Sequence, residues 1–120
     1  MPAISQAHYR KMKNAFRLDV ARFIAGAASR GETVTYGEIA REFGGTARGW
    51  GDVLGGIAIR CYENKLPLLP VLVVNSSSLM PSVDAVLYTD LGLVGAEAIE
   101  SEQERCKSFD WSKTALGAVP

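Results

Sequence analysis

The chain has 120 residues, with 13 basic and 13 acidic side chains and therefore no net charge. This length fits a single domain, and 48% hydrophobic against 22% charged residues excludes a disordered chain. No apolar run approaches the ~20 residues of a membrane span, and the first residues lack a signal-peptide pattern. We therefore expect a cytoplasmic protein with no membrane partner.

Apolar side chains recur at helical spacing over residues 5–29, which predicts one long amphipathic helix. Its basic side chains fit a solvated face as well as a binding surface. The apolar face carries Tyr9, Met12, Phe16, Val20, Phe23, Ile24 and Ala27, and the basic residues are Arg10, Lys11, Lys13, Arg17 and Arg22.

A complete helix start follows at Thr35. The Thr35 hydroxyl is placed to accept from the first turn, and Glu38 is three residues on, where it can reach back to the Thr35 N–H. Val34 and Ile39 occupy the positions of a hydrophobic staple, and Gly44-Gly45 offers a left-handed stop. The pattern predicts a helix of about nine residues and gives Glu38 a structural role.

A second helix is predicted from Thr46, as N-cap, to about Asn64. Its apolar face carries Trp50, Val53, Leu54, Ile57, Ala58 and Cys61, and its opposite side Arg48, Asp52, Ile59, Arg60 and Glu63. Each internal glycine costs roughly 1 kcal/mol against alanine, so something must come close to this backbone. A DNA groove and a neighbouring helix are both candidates.

Two helices joined so closely are typical of a helix-turn-helix over residues 35–64. The charge distribution fits a nucleic-acid face there, because residues 1–65 hold ten basic against six acidic side chains. Residues 66–120 hold three against seven, so this acidic half is a candidate surface for a basic protein partner.

The second half of the chain is predicted to contain a strand, a wing and a helix. Two prolines make residues 66–70 a rigid connector. Residues 72–74 are predicted to form a strand and residues 85–88 a returning strand. The loop between them, 75–84, is then the wing of a strand/wing unit that covers residues 69–88. A C-terminal helix covers 95–108, and Phe109 and Trp111 dock the tail. The predicted fold class is α+β, mostly α: a winged helix-turn-helix with an additional N-terminal and C-terminal helix.

The block Val34-Thr35-Tyr36-Gly37-Glu38-Ile39-Ala40, followed by Ala47-Arg48 and Trp50-Gly51, resembles the C-terminal domain of the DNA alkyltransferases. The resemblance is greater still to the non-catalytic alkyltransferase-like proteins, and it covers roughly residues 15–75. It implies a winged helix in the minor groove, with Tyr36 and Arg48 extruding a damaged base. A second register would place Asp52 at the position of the arginine.

The active-site motif of the alkyltransferases, Pro-Cys-His-Arg-Val, is replaced here by Pro70-Val71-Leu72-Val73-Val74. Without a cysteine and its activating base, alkyl transfer at this motif is not expected. Cys61 and Cys106 lie on separate predicted helices, and we expect free thiols. No carboxylate has the spacing of a metal site, and no phosphate-binding glycine loop occurs, so neither metal nor cofactor is predicted.

The favoured hypothesis is a non-enzymatic protein that binds double-stranded DNA in repair or regulation. Its candidate contacts are Thr35, Tyr36, Arg48, Gly51, Asp52, Arg60, Ser76 and Ser77. Tyr36 as a packing residue, Arg48 as an ion-pair partner of Asp52, and the serines as a solvated turn remain open alternatives. Two further hypotheses are a protein-interaction module on the same scaffold, and an enzyme using Cys61 or an unrecognised hydrolase site.

Overall fold

The computed structural model describes residues 5–45, 50–76, 88 and 91–114. Its helices and strands, in chain order, are α1 (Gln6–Asn14), α2 (Leu18–Ser29), β1 (Val34–Thr35), α3 (Tyr36–Phe43), α4 (Gly51–Glu63), β2 (Val73–Val74) and α5 (Ala96–Ser108). Two 3₁₀ turns, Leu69–Leu72 and Trp111–Lys113, complete the set. The fold is α+β and mostly α, as predicted.

The N-terminal region forms two helices, so the prediction of one helix over 5–29 is wrong. The two helices have different neighbours: α1 packs on α4, whereas α2 packs on the Leu69–Leu72 turn and on α5. A single straight helix could not pack against both sets of neighbours. The helix is interrupted at Arg17, whose backbone is extended (φ −129°, ψ 119°). Apolar residues keep their helical spacing across this interruption, so the spacing alone could not predict it.

Helix α4 crosses the end of α1 at very short range. A Cβ on Gly56 would collide with the carbonyl oxygen of Met12 and would lie 3.0 Å from the backbone nitrogen of Phe16. The neighbouring-helix explanation therefore accounts for Gly56, and no DNA groove is needed to explain this glycine.

The start of α3 is confirmed atom by atom. The Thr35 hydroxyl accepts from the Glu38 N–H at 3.1 Å, and the Thr35 N–H donates to Glu38 Oε1 at 3.1 Å. Val34 and Ile39 are both buried. The helix ends as predicted at Gly44, whose φ of 92° is in the left-handed region that favours glycine.

Helix α4 begins later than predicted and is more deeply buried. It starts at Gly51 with Trp50 as its N-cap, so Thr46 is not the cap, and residues 46–49 lie outside the described part of the chain. Its C-cap, Asn64, is where the sequence placed the end. Ile59, expected on the polar side, is fully buried, because α4 is covered by neighbours on both flanks.

A short parallel sheet joins the two halves of the chain, with Val34 opposite Val73 and Thr35 opposite Val74. The predicted strand at 72–74 is thus confirmed for Val73 and Val74, while Leu72 ends the 3₁₀ turn. The predicted wing and returning strand fall mostly on residues 77–87, outside the described residues, and Tyr88 is buried.

The C-terminal helix and tail agree with prediction. Trp111 is 1% exposed and its Nε1 donates to the Cys106 carbonyl at 2.8 Å, with the Phe109 ring 4.8 Å away. Helix α5 also buries Gln103, whose Nε2 donates to the Val71 carbonyl at 2.9 Å. Across the described ranges, no helix is long and apolar enough to cross a membrane.

The close crossing at Gly56 gives a stability prediction. We expect Gly56→Ala to lower the free energy of unfolding by about 1–3 kcal/mol, because the backbone of α1 must move to admit the new methyl group. Gly37→Ala is the matched control: its Cβ would have only the Thr35 hydroxyl oxygen nearby, at 3.9 Å. Alanine's helix propensity should make that variant more stable by about 0.5–1 kcal/mol.

Urea denaturation of both variants measures the difference. Equal unfolding free energies for the two alanine variants would contradict the close approach of α4 to α1.

Candidate nucleic-acid interface

The segment between α3 and α4 is tied at its two ends. Trp50 Nε1 donates to the Gly44 carbonyl at 3.2 Å, and the rings of Trp50 and Phe43 lie 6.0 Å apart. The ring of Phe23, on α2, meets that of Phe43 at 5.5 Å, edge to face. These contacts hold the end of α3 next to the start of α4.

Arg17 reinforces this junction from the break between α1 and α2. Its guanidinium lies 5.5 Å from the centroid of the Phe43 ring and 5.3 Å from that of Trp50. Asp19 accepts from Arg17 Nη2 at 2.7 Å, and that hydrogen bond is the main cause of the lowered pKa of Asp19. The sequence left Arg17 open between a solvated face and a binding surface. No local signal pairs it with aromatic residues 26 and 33 positions away.

Asp52, in the first turn of α4, is linked to α1. Its Oδ1 lies 3.3 Å from His8 Nε2 and its Oδ2 lies 3.4 Å from Lys11 Nζ. A negative charge at the start of a helix interacts favourably with the helix dipole. The same charge would repel the phosphates of a bound DNA. The Lys11 ammonium group offsets that charge locally. Neither Lys11 nor His8 was among the predicted site residues.

Helix α1 is a basic surface beside α4. It has no acidic side chain. Its basic side chains are His8, Arg10, Lys11 and Lys13. All four are exposed, and Lys13 Nζ reaches Glu63 Oε2, near the end of α4, at 2.9 Å. The start of α1 therefore lies near the start of α4, and its end near the end of α4.

Of the predicted contact residues, those at the start of α3 have roles within the fold. Thr35 is the N-cap of α3, and its hydroxyl is engaged with Glu38. Tyr36 is 7% exposed and belongs to the core, which favours the packing alternative for this side chain.

The remaining predicted residues are dispersed. Gly51 and Asp52 begin α4, whereas Arg60 lies about 12 Å further along its axis and stacks on the Phe16 ring at 4.2 Å. Ser76 is exposed in the turn after β2. Arg48 and Ser77 lie outside the described residues. The structure thus brings Gly51 and Asp52 together with α1, and leaves Arg60 apart from them.

Both cysteine thiols are buried and free. Burial raises the pKa of Cys61 to about 12, and burial likewise raises the pKa of Cys106. Thiols held in this state are protonated at neutral pH, so they are poor nucleophiles. Among the described residues no group of three His, Cys, Asp or Glu side chains is placed to hold a metal ion.

Comparisons with protein-family models, with curated proteins and with solved structures give no match for this chain. The geometry of its own residues therefore carries the functional argument.

The buried thiol predicts a loss of stability in alkali. The ordinary thiol pKa is 9.0, whereas folded Cys61 keeps its proton to about pH 12. Between these values the unfolded chain binds fewer protons than the folded one, so the unfolding free energy falls by up to about 1.4 kcal/mol per pH unit. Below pH 9 this contribution is constant.

The measurement is urea unfolding at about pH 8 and about pH 10, comparing wild type with Cys61→Ala so that other groups cancel. We expect the alanine variant to lose less stability over this interval. An identical loss in both proteins would show that the Cys61 thiol ionises freely in the fold.

Proposed function

We propose that this protein is a non-enzymatic double-stranded DNA-binding protein of the alkyltransferase-like, winged helix-turn-helix type. Its contact surface comprises the segment between α3 and α4, the first turn of α4, and the exposed side of α1. The observation that carries the proposal is the position of α1: a helix with cationic side chains and no acidic ones lies directly beside the start of α4.

The charge of this surface suits a phosphate backbone. Lys11 is 72% exposed, and its one ion pair with a described residue is with Asp52, at 3.4 Å. A surface ion pair of this kind has a small net energy. Such a lysine can exchange its partner for a phosphate at little cost. Arg10, one residue away and exposed, adds a second cation to the same helix. Phosphate neutralisation of this kind provides most of the sequence-independent affinity for DNA.

The anchored junction supports a recognition role for Arg48. The Trp50–Gly44 hydrogen bond and the Arg17 stacking hold both ends of the segment that carries Arg48. In this proposal Arg48 enters the groove, and Tyr36 holds the start of α3 in the core.

The test is fluorescence anisotropy with a short labelled duplex, with and without an alkylated guanine, at two salt concentrations. We expect salt-dependent binding, weakened about tenfold or more by Arg48→Ala, since a good arginine contact contributes about 1–3 kcal/mol. Lys11→Ala should weaken all duplexes alike and reduce the salt slope by about 0.9, the value for one lost phosphate contact.

Lys113→Ala is the control, because Lys113 is 83% exposed in the C-terminal 3₁₀ turn, away from this surface in the chain. Its affinity should equal that of the wild type. Absence of binding even at low salt, or wild-type affinity in both the Arg48 and Lys11 variants, would overturn the proposal. Preference for the alkylated duplex would extend it to lesion recognition.

A further inference from the structure

A groove of about 670 Å³ lies at the C-terminal end of α4. Its walls are the last turn of α4 with the connection after it, the 91–93 segment, and α5. The distance along α4 from Asp52 to Tyr62, which lines the groove, is about 15 Å. Asp52 and Lys11 therefore lie away from the groove, whereas Lys13, at the end of α1, reaches Glu63 in its wall.

The groove has an apolar floor and an apolar rim. Leu66, Leu91 and Leu93 are partly buried and line it. Tyr62 is 50% exposed at its edge, and Val94, next to Leu93, is 71% exposed. These are two of the three large hydrophobic side chains exposed in the described parts of the chain. Partly buried leucines beside an exposed tyrosine ring give the groove an apolar surface of the kind that a partner covers.

An arginine is held in position at this groove by a buried carboxylate. Glu102 is 4% exposed; its Oε2 accepts from the Leu68 N–H at 2.7 Å, and its Oε1 accepts from Arg105 Nη1 at 2.6 Å. The Arg105 side chain remains 61% exposed, and Nε and Nη2 have no hydrogen-bond partner within the described ranges. A guanidinium fixed at one nitrogen, with its other edge open, is arranged to receive a second carboxylate.

Lys65 occupies a backbone conformation that favours glycine. Its φ is +59°, and it follows the C-cap of α4, where the Leu66 N–H donates to the Cys61 carbonyl at 2.8 Å. Glycine is the usual residue at this point of a helix end, so a lysine carries a conformational cost there. The ammonium group that this lysine adds lines the groove and forms no ion pair with any described residue.

We propose that this groove is a docking site for an acidic–hydrophobic segment of a partner protein. One carboxylate of the segment binds between Arg105 and Lys65, and its apolar neighbours cover the leucine floor and the Tyr62 ring. A protein segment fits better than a small ligand, because the half-exposed Tyr62 ring extends the apolar surface at the edge of the groove. A DNA backbone would leave that surface uncovered.

This inference reverses the charge expected for a protein partner. The acidic C-terminal half pointed to a basic partner, but at this groove Glu102 is committed to Leu68 and Arg105. Glu63, the other carboxylate of the groove, is paired with Lys13 at 2.9 Å. With both carboxylates engaged, the polar groups left open to a partner are those of Lys65 and Arg105, so the partner is acidic.

The experiment uses isotope-labelled full-length protein and a designed eight-residue peptide that alternates leucine or phenylalanine with aspartate. A peptide with lysine in place of aspartate is the charge control, and octanoate represents a small apolar carboxylate. We expect the acidic peptide to shift the backbone amide signals of Tyr62, Lys65, Leu93 and Arg105, with an affinity in the range detectable at about 1 mM peptide.

Two variants separate binding from folding. Lys65→Gly removes the ammonium and relieves the backbone, so the protein should be at least as stable while its peptide affinity falls about tenfold. Arg105→Gln keeps a donor for Glu102 but removes the charge, and should weaken the peptide similarly. Lys113→Ala should bind like the wild type.

The proposal is overturned if the acidic peptide shifts none of those amides at about 1 mM, or if the lysine peptide binds equally well. Unchanged affinity in both the Lys65 and Arg105 variants also overturns it. Shifts produced by octanoate but not by the peptide would assign the groove to a small ligand and reject a protein partner.

Discussion

The contact on which the rest of the fold depends is the crossing of α4 over the end of α1 at Gly56. Because Gly56 has no Cβ, the α4 backbone reaches the Met12 carbonyl and the Phe16 backbone directly. That close contact places α1 beside the start of α4 and leaves α2 to pack on the Leu69–Leu72 turn and α5. The break between α1 and α2 also presents Arg17 to Phe43 and Trp50. One missing side chain thus shapes the surface proposed to bind DNA.

The second half of the chain is attached by polar groups inside an apolar core. Glu102 and Gln103, neighbours on α5, bind the Leu68 N–H and the Val71 carbonyl, groups that no regular helix or sheet would satisfy. A buried backbone group without a partner costs about 1–3 kcal/mol, so these two side chains specify how α5 sits on the 3₁₀ turn. The same arrangement orients Arg105. The packing of α5 on the 3₁₀ turn therefore depends on Glu102 and Gln103, and Glu102 also orients an arginine that lines the groove.

Structural features set by residues close together in the sequence could be predicted from it, and features set by residues far apart could not. The capping box of Thr35 and Glu38 depends on residues three apart, and it was predicted to the atom. The break near Arg17, the burial of Ile59 and the Asp52 contacts with His8 and Lys11 depend on partners distant in the chain. Hydrophobic periodicity reports that a face is apolar but not which neighbour covers it, so those features required the tertiary structure. Glu102 illustrates the limit: it was counted as surface charge.

Helix α4 links two surfaces of different chemistry. Its first turn lies beside the cations of α1, while its last turn and Lys65 border an apolar groove with an arginine held by Glu102. Occupying one end can affect the other only if α4 moves, and the Gly56 crossing opposes such movement because it brings backbone against backbone. The two surfaces should therefore bind independently. A rigid α4 then fixes the distance between the proposed DNA surface and the proposed docking groove without coupling their affinities.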